Sequence, residues 1–87
     1  MFKITGMKGF HITFENGYTV SVQFGPGNYC DNYDQDIGMD EKLSGEVGSN
    51  TAECAVWGRD GKMIKRVGWS DTVNGYMTSE DVLKLMN

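Results

Sequence analysis

Three side chains that carry oxygen ligands alternate along one short segment of the chain. Asn32, Asp34 and Asp36 have the spacing of the first ligands in an EF-hand calcium loop. That loop also needs glycine at its sixth position and glutamate at its twelfth, and these positions, counted from Asn32, hold Ile37 and Leu43. We therefore assign no metal site to this segment, although a looser cation- or ligand-binding module stays open as an alternative.

The two cysteines and the single histidine are the other groups that could ligate a metal or act as a nucleophile. Zinc needs about four ligands at close spacing, and Cys30, Cys54 and His11 do not supply them. A Cys30–His11 pair has no evident group to orient the imidazole, and Cys54 is best interpreted as a small core residue. The turn at 25–27 lacks the Gly-Lys-Ser/Thr that follows in a phosphate-binding loop. We identify no catalytic residue and no cofactor, and we expect the protein not to be an enzyme.

Acidic side chains are concentrated in one part of the chain. The formal net charge is -4, and residues 31–46 carry six acids against one base, Lys42. These acids are Asp31, Asp34, Asp36, Asp40, Glu41 and Glu46. A nucleic-acid-binding protein needs a basic face, so we expect no direct contact with nucleic acid. The bases Arg59, Lys62, Lys65 and Arg66 are expected to form a solvated edge or to pair with the acidic stretch.

Two tyrosines are interleaved with carboxylates at the start of this acidic stretch. Tyr29 and Tyr33 alternate with Asp31 and Asp34, and aromatic anchors ringed by carboxylates suit a partner protein with a basic surface. In the alternative interpretation, Tyr29 only covers the edge of the core. The predicted partner-binding residues are Tyr29, Asp31, Tyr33, Asp34, Asp36, Asp40 and Glu41.

The elements that position these residues are predicted to be strands. Apolar and polar side chains alternate along the first 24 residues, which is the pattern of half-buried strands. The pattern predicts a strand at 2–5 and a hairpin that joins 10–14 to 18–24. A three-residue loop at 15–17, with Gly17 left-handed, pairs Phe10 with Val22 and Ile12 with Val20, which keeps the apolar residues on one face. A two-residue turn would mix the two faces.

The rest of the chain predicts a second hairpin and one helix. No periodic element is evident in 25–50, which we interpret as a long acidic loop. Thr51–Trp57 and Lys62–Val67 are predicted to pair around a loop at 59–61. Thr78 and Asp81 then form a capping box for a short helix with an apolar stripe of Val82, Leu83, Leu85 and Met86.

We therefore expect an α+β fold in a single domain spanning residues 1–87. It would contain a small antiparallel β-sheet of about five strands and two hairpins, a short C-terminal helix packed on that sheet, and the acidic loop 25–50. The chain shows no secretory signal and no apolar stretch near the roughly 20 residues of a membrane span. We expect a cytoplasmic protein with reduced thiols and no contact with a membrane. The oligomeric state is left open, and an oligomeric structural component is a further alternative.

The run Gly9–Asn32, together with Thr51–Gly58 and Gly75–Thr78, resembles small uncharacterised proteins encoded by bacteriophages and prophages. The resemblance covers most of the chain and carries no assigned activity, so no residue inherits a role from it. It implies a phage protein in the host cytoplasm. Small acidic phage proteins often bind a host or defence-system protein, as anti-CRISPR proteins do, and the resemblance suggests that kind of partner.

Overall fold

The computed structural model describes residues 1–6, 8–44 and 48–87 of the chain. In this part of the chain the elements are β1 (Phe2–Ile4), β2 (Gly9–Thr13), β3 (Thr19–Gln23), α1 (Met39–Ser44), β4 (Thr51–Trp57), β5 (Val73–Thr78) and α2 (Ser79–Met86). The strands form one antiparallel sheet in the order β1-β2-β3-β4-β5. The predicted α+β class, with an antiparallel sheet of five strands and a C-terminal helix, is confirmed.

Strands β2 and β3 pair in the register that keeps apolar residues on one face. Phe10 lies opposite Val22 and Ile12 opposite Val20, as the three-residue loop predicts. The amide of Phe14 donates to the carbonyl oxygen of Tyr18 at 2.9 Å, which closes the loop. Gly17 has a φ of +89°, a conformation that is accessible to glycine and strained for other residues.

The core lies on one face of β3, β4 and β5. Its buried residues are Val20, Val22, Ala52, Cys54, Val56 and Met77. Helix α2 covers this face with Val82, Leu85 and Met86, and the connection between β4 and β5 adds Ile64 and Trp69. Cys54 is fully buried, as expected for a small core residue.

The predicted strand Lys62–Val67 is wrong. Only one bridge, between Trp57 and Met63, extends the sheet there, together with a hydrogen bond from the Ile64 amide to the Val56 carbonyl oxygen. The strand that pairs with β4 on the edge away from β3 is β5, which runs opposite residues 51–55, with Ala52 opposite Met77. We attribute this pairing to β5 because it places Met77 in the core and leads directly into α2, whereas half of the residues in 62–67 are charged.

The predicted long loop 25–50 is not continuous, because the short helix α1 lies within it. This helix has Asp40 and Glu41 in its first turn, where the helix dipole favours negative charge. Glu46, which was counted with the acidic stretch, falls outside the residues that the structure describes.

Helix α2 begins with the predicted capping box. The Thr78 hydroxyl accepts from the Asp81 amide at 3.2 Å, and the Asp81 carboxylate accepts from the Thr78 amide at 3.0 Å. Leu83, predicted to belong to the apolar stripe, is instead 64% exposed. It points away because the sheet meets only the side of the helix that bears Val82, Leu85 and Met86.

The capping box predicts a specific dependence of stability on pH. The two hydrogen bonds with Thr78 lower the pKa of Asp81 below its ordinary value of 3.8. As pH falls, Asp81 is therefore protonated in the unfolded protein before it is protonated in the folded protein. The ionised carboxylate stabilises the fold fully at pH values above the pKa of Asp81 in the unfolded protein. This stabilisation is lost as pH falls through the lower pKa of Asp81 in the folded protein. Between about pH 5 and pH 2 we expect the free energy of unfolding, measured in urea, to fall more steeply for the wild type than for Asp81→Asn. Parallel curves for the two proteins would contradict this role.

Two neighbouring residues of α2 provide a matched test of how the helix docks. Val82→Ala removes side-chain atoms that pack on the core, so we expect a loss of about 1 kcal/mol in the free energy of unfolding. Leu83→Ala removes more atoms from an exposed position, and we expect a change within about 0.5 kcal/mol. Urea denaturation at pH 7 measures both. A larger loss for Leu83→Ala would show that the helix docks by a different side.

Candidate partner-binding surface

The first part of the predicted acidic loop, residues 25–35, is organised around a buried asparagine. Asn32 is only 2% exposed. Its side-chain oxygen accepts from the Gly25 amide at 2.8 Å and lies 3.0 Å from the Cys30 sulfur, and its amide nitrogen donates to the Gly48 carbonyl oxygen at 3.2 Å. The side-chain oxygen of Asn32, which would be the first ligand of an EF-hand loop, is therefore already engaged in contacts within the protein. Among the residues that the structure describes, no cluster of three or more His, Cys, Asp or Glu could hold a metal ion.

Side chains of β4 hold this loop to the sheet. The Glu53 carboxylate accepts from the Tyr29 amide at 2.8 Å. The Thr51 hydroxyl accepts from the Asp31 amide at 2.9 Å and donates to the Asp31 carboxylate at 2.8 Å. Thr51 and Glu53 are two positions apart on a strand, so both project from the face opposite the core.

A bulge in β5 gives the loop a third attachment. Ala52 pairs with Met77 and Cys54 with Asn74, so two residues of β5, Gly75 and Tyr76, face the single position between them. Tyr76 has a φ of +54°, unusual for a residue with a side chain, and its amide donates to the Tyr29 carbonyl oxygen at 2.8 Å. A side chain at Gly75 would overlap the Cβ of Tyr29, so the close approach of the loop requires glycine there.

The attached loop presents two tyrosine rings to solvent. The rings of Tyr29 and Tyr33 are nearly parallel, with an interplanar angle of 9° and centroids 5.6 Å apart. Tyr29 is 55% exposed and Tyr33 is 44% exposed. This exposure argues against the alternative in which Tyr29 covers the edge of the core.

Carboxylates follow the tyrosine pair along the chain. Asp31, Asp34, Asp36, Asp40 and Glu41 are all exposed. Asp31 is engaged with Thr51, and Glu41 also has an interaction partner. Asp34, Asp36 and Asp40 make no ion pair with any residue in the described ranges. Three of the five predicted carboxylates are therefore exposed without an ion pair in the described part of the chain.

The sequence predicts that the basic residues either form a solvated edge or pair with the acidic stretch, and the contact described for Arg59 lies elsewhere. Arg59 instead reaches the carbonyl oxygen of Glu15, in the turn between β2 and β3. Arg59 lies beyond the C-terminal end of β4, whereas Asp31 is bound to Thr51 at the other end of that strand. A strand of this length spans about 20 Å, well beyond the screening distance of roughly 8 Å at physiological ionic strength. Asp31 and Arg59 are thus kept apart.

The residues considered for nucleophilic chemistry are not brought together. His11 contacts Trp57 edge-on, with ring centroids 4.9 Å apart, while the Cys30 sulfur lies against Gly25 and Asn32. Burial, with a smaller effect from Lys3, lowers the pKa of His11. Burial also raises the pKa of Cys54 to about 11, helped by the charges of Glu53 and Asp81, so this thiol stays protonated at neutral pH.

Comparison of the chain with protein-family models, with curated proteins and with solved structures gave no match. None of the helices in the described ranges has the length and hydropathy needed to cross a bilayer.

The attachment of the loop through Thr51 can be tested by removing one oxygen atom. Thr51→Val keeps the shape of the side chain but loses both hydrogen bonds to Asp31. We expect the Asp31 amide to exchange with deuterium about tenfold faster, because its acceptor is gone. The control is Thr72→Val, which removes a hydroxyl far from the loop. Unchanged exchange at Asp31 in Thr51→Val would show that the loop is held without this bond.

Proposed function

We propose that the chain is a small phage-encoded binding protein without enzymatic activity, which inhibits or modulates a host or defence-system protein in the host cytoplasm, as anti-CRISPR proteins do. The contact surface comprises Tyr29, Tyr33 and the exposed carboxylates Asp34, Asp36 and Asp40. The observation that carries this proposal is a stacked, exposed tyrosine pair beside carboxylates that make no ion pair within the described ranges. The phage context rests on the resemblance given above.

Attachment of the loop before binding supports this function. Tyr29 is held by hydrogen bonds on both sides of its peptide, from its amide to Glu53 and from the Tyr76 amide to its carbonyl oxygen. Two rings already fixed against each other lose little conformational entropy when a partner covers them. Tyrosine is also among the residues that contribute most to binding energy at protein interfaces.

The charge distribution supports a partner with a basic surface. Asp31 is bound at one end of β4 and the other described acids of the loop follow it in the chain, whereas Arg59 and Lys62 follow the other end of the strand. A partner with a basic surface would be attracted to the acidic end and repelled by the basic end. Such a separation of charge orients the encounter and raises the association rate. Proteins that bind nucleic acid have surfaces of this kind, so occupation of a nucleic-acid site is the expected mode of inhibition.

Neutralisation of the free carboxylates tests the electrostatic part of the proposal. The variant is Asp34→Asn, Asp36→Asn and Asp40→Asn combined. The control is Glu15→Gln, Asp71→Asn and Glu80→Gln combined, which makes the same change in net charge outside the loop. Each protein is immobilised, and a bacterial host lysate is passed over it. For a partner captured by the wild type, we expect the loop variant to bind about tenfold more weakly at low salt and the control variant to bind normally.

The salt dependence of the affinity distinguishes a loss of charge attraction from misfolding of the loop variant. Affinity of the wild type should fall as salt rises, and the difference between the wild type and the loop variant should shrink with it. If a captured partner is held equally by wild type and loop variant at both low and physiological salt, the carboxylates are not the contact surface.

A further inference from the structure

The cover over the apolar face of the sheet stops before β1. Phe2 lies opposite Ile12 and Ile4 opposite Phe10, so all four side chains share the face that carries the core. Phe2 and Ile4 are each 79% exposed, and Met1 beside them is 78% exposed. In the described ranges, α2 and the residues Ile64 and Trp69 pack on the part of this face formed by β3, β4 and β5.

We define the exposed patch as six residues with apolar side chains, Met1, Phe2, Ile4, Phe10, Ile12 and Phe14. Lys3 pairs with His11 and therefore projects from the opposite face. The N-terminal ammonium group donates to the carbonyl oxygen of Thr13 at 2.7 Å, which holds it at the strand ladder. The exposed patch is thus a continuous apolar surface bordered by polar groups, and such a surface marks an interaction site.

The exposed edge of β1 is poorly suited to pairing with another strand. β1 has three residues and carries Lys3 at its centre, and short length and lysine are the usual devices that prevent strand addition. If two copies were paired edge to edge about this centre, the two Lys3 side chains would stand opposite each other, which is destabilising. The patch itself, on the face of the sheet, is therefore the surface that remains to be covered.

We propose that the exposed patch is the interface of a symmetric homodimer, in which the faces of β1 and β2 from two copies pack against each other. At about 200 Å² for a large apolar side chain, the exposed fractions of Met1, Phe2 and Ile4 provide roughly 450 Å² per copy. Two copies then bury about 900 Å² from these residues alone, and the half-buried Phe10, Ile12 and Phe14 bring the total near the roughly 1,200 Å² of a small specific interface. The six side chains of the patch are all apolar, so a second copy that packs on them need not bury a charged side chain.

This dimer leaves the candidate partner-binding surface free. The loop is attached to β4 and β5, and β4 lies three strands, or about 14 Å, from β1. The dimer would carry two acidic loops on its outer sides. The inference does not depend on the proposed function, because it rests on the opposite face and the opposite edge of the sheet.

Sedimentation equilibrium over a wide range of protein concentration tests the dimer. The wild type is expected to shift from 9.7 kDa at low concentration towards about twice that mass at high concentration, with little effect of salt. In the test variant, Phe2→Thr and Ile4→Thr are combined, since threonine keeps the strand propensity and the replaced side chains are exposed. The control variant combines Val67→Thr and Leu83→Gln, two exposed apolar residues outside the patch. We expect the test variant to stay monomeric with an unchanged circular dichroism spectrum, and the control to dimerise like the wild type.

The other outcomes each overturn the proposal. A wild type that is monomeric throughout shows that a second copy does not cover the patch. Dimerisation of the test variant as strong as that of the wild type places the interface elsewhere. Flotation with neutral or anionic phospholipid vesicles is run in parallel, and if the monomeric wild type binds them and the test variant does not, the patch is a lipid-binding surface.

Discussion

The apolar face of the five-stranded sheet has to be shielded from water, and the helix that packs on it is short. Helix α2 has eight residues and is about 12 Å long, whereas five strands side by side extend over about 19 Å. The helix can therefore cover only part of the face, and the fold places it over β5, next to the strands that are buried most deeply. The distribution of buried and exposed residues across the sheet follows from this mismatch.

The path of the chain between β4 and β5 is one consequence. A local hairpin with 62–67 would have a low cost in loop entropy, and the bridge from Trp57 to Met63 is the part of it that the structure contains. The chain then leaves the plane of the sheet, so that Ile64 and Trp69 pack on the core beside α2. Coverage of the core by these two large side chains outweighs the few ladder hydrogen bonds that a longer hairpin would gain, since each is worth only about 1 kcal/mol.

Features set by neighbouring residues were predictable from the sequence. The register of β2 and β3 follows from alternation around Gly17, and the start of α2 follows from Thr78 and Asp81. The strand β5 was missed because Gly75 resembles a turn residue, and the reason for glycine there is the approach of Tyr29, far away in sequence. For the candidate site, the sequence predicted the interleaved tyrosines and carboxylates, but not that Asn32 is a buried support or that α1 lies in this segment.

The face of the sheet opposite the core explains how a small domain can hold a loop of this length. Thr51 and Glu53 use that face to bind the backbone of Asp31 and Tyr29, and the bulge in β5 turns one more amide towards the loop. Tyr29 is held through its backbone, so its ring stays at the surface together with the ring of Tyr33. The same strand separates Asp31 from Arg59 by its whole length, so these two charges do not neutralise each other. β4 thus organises the core with one face, and with the other it exposes the residues proposed to bind a partner.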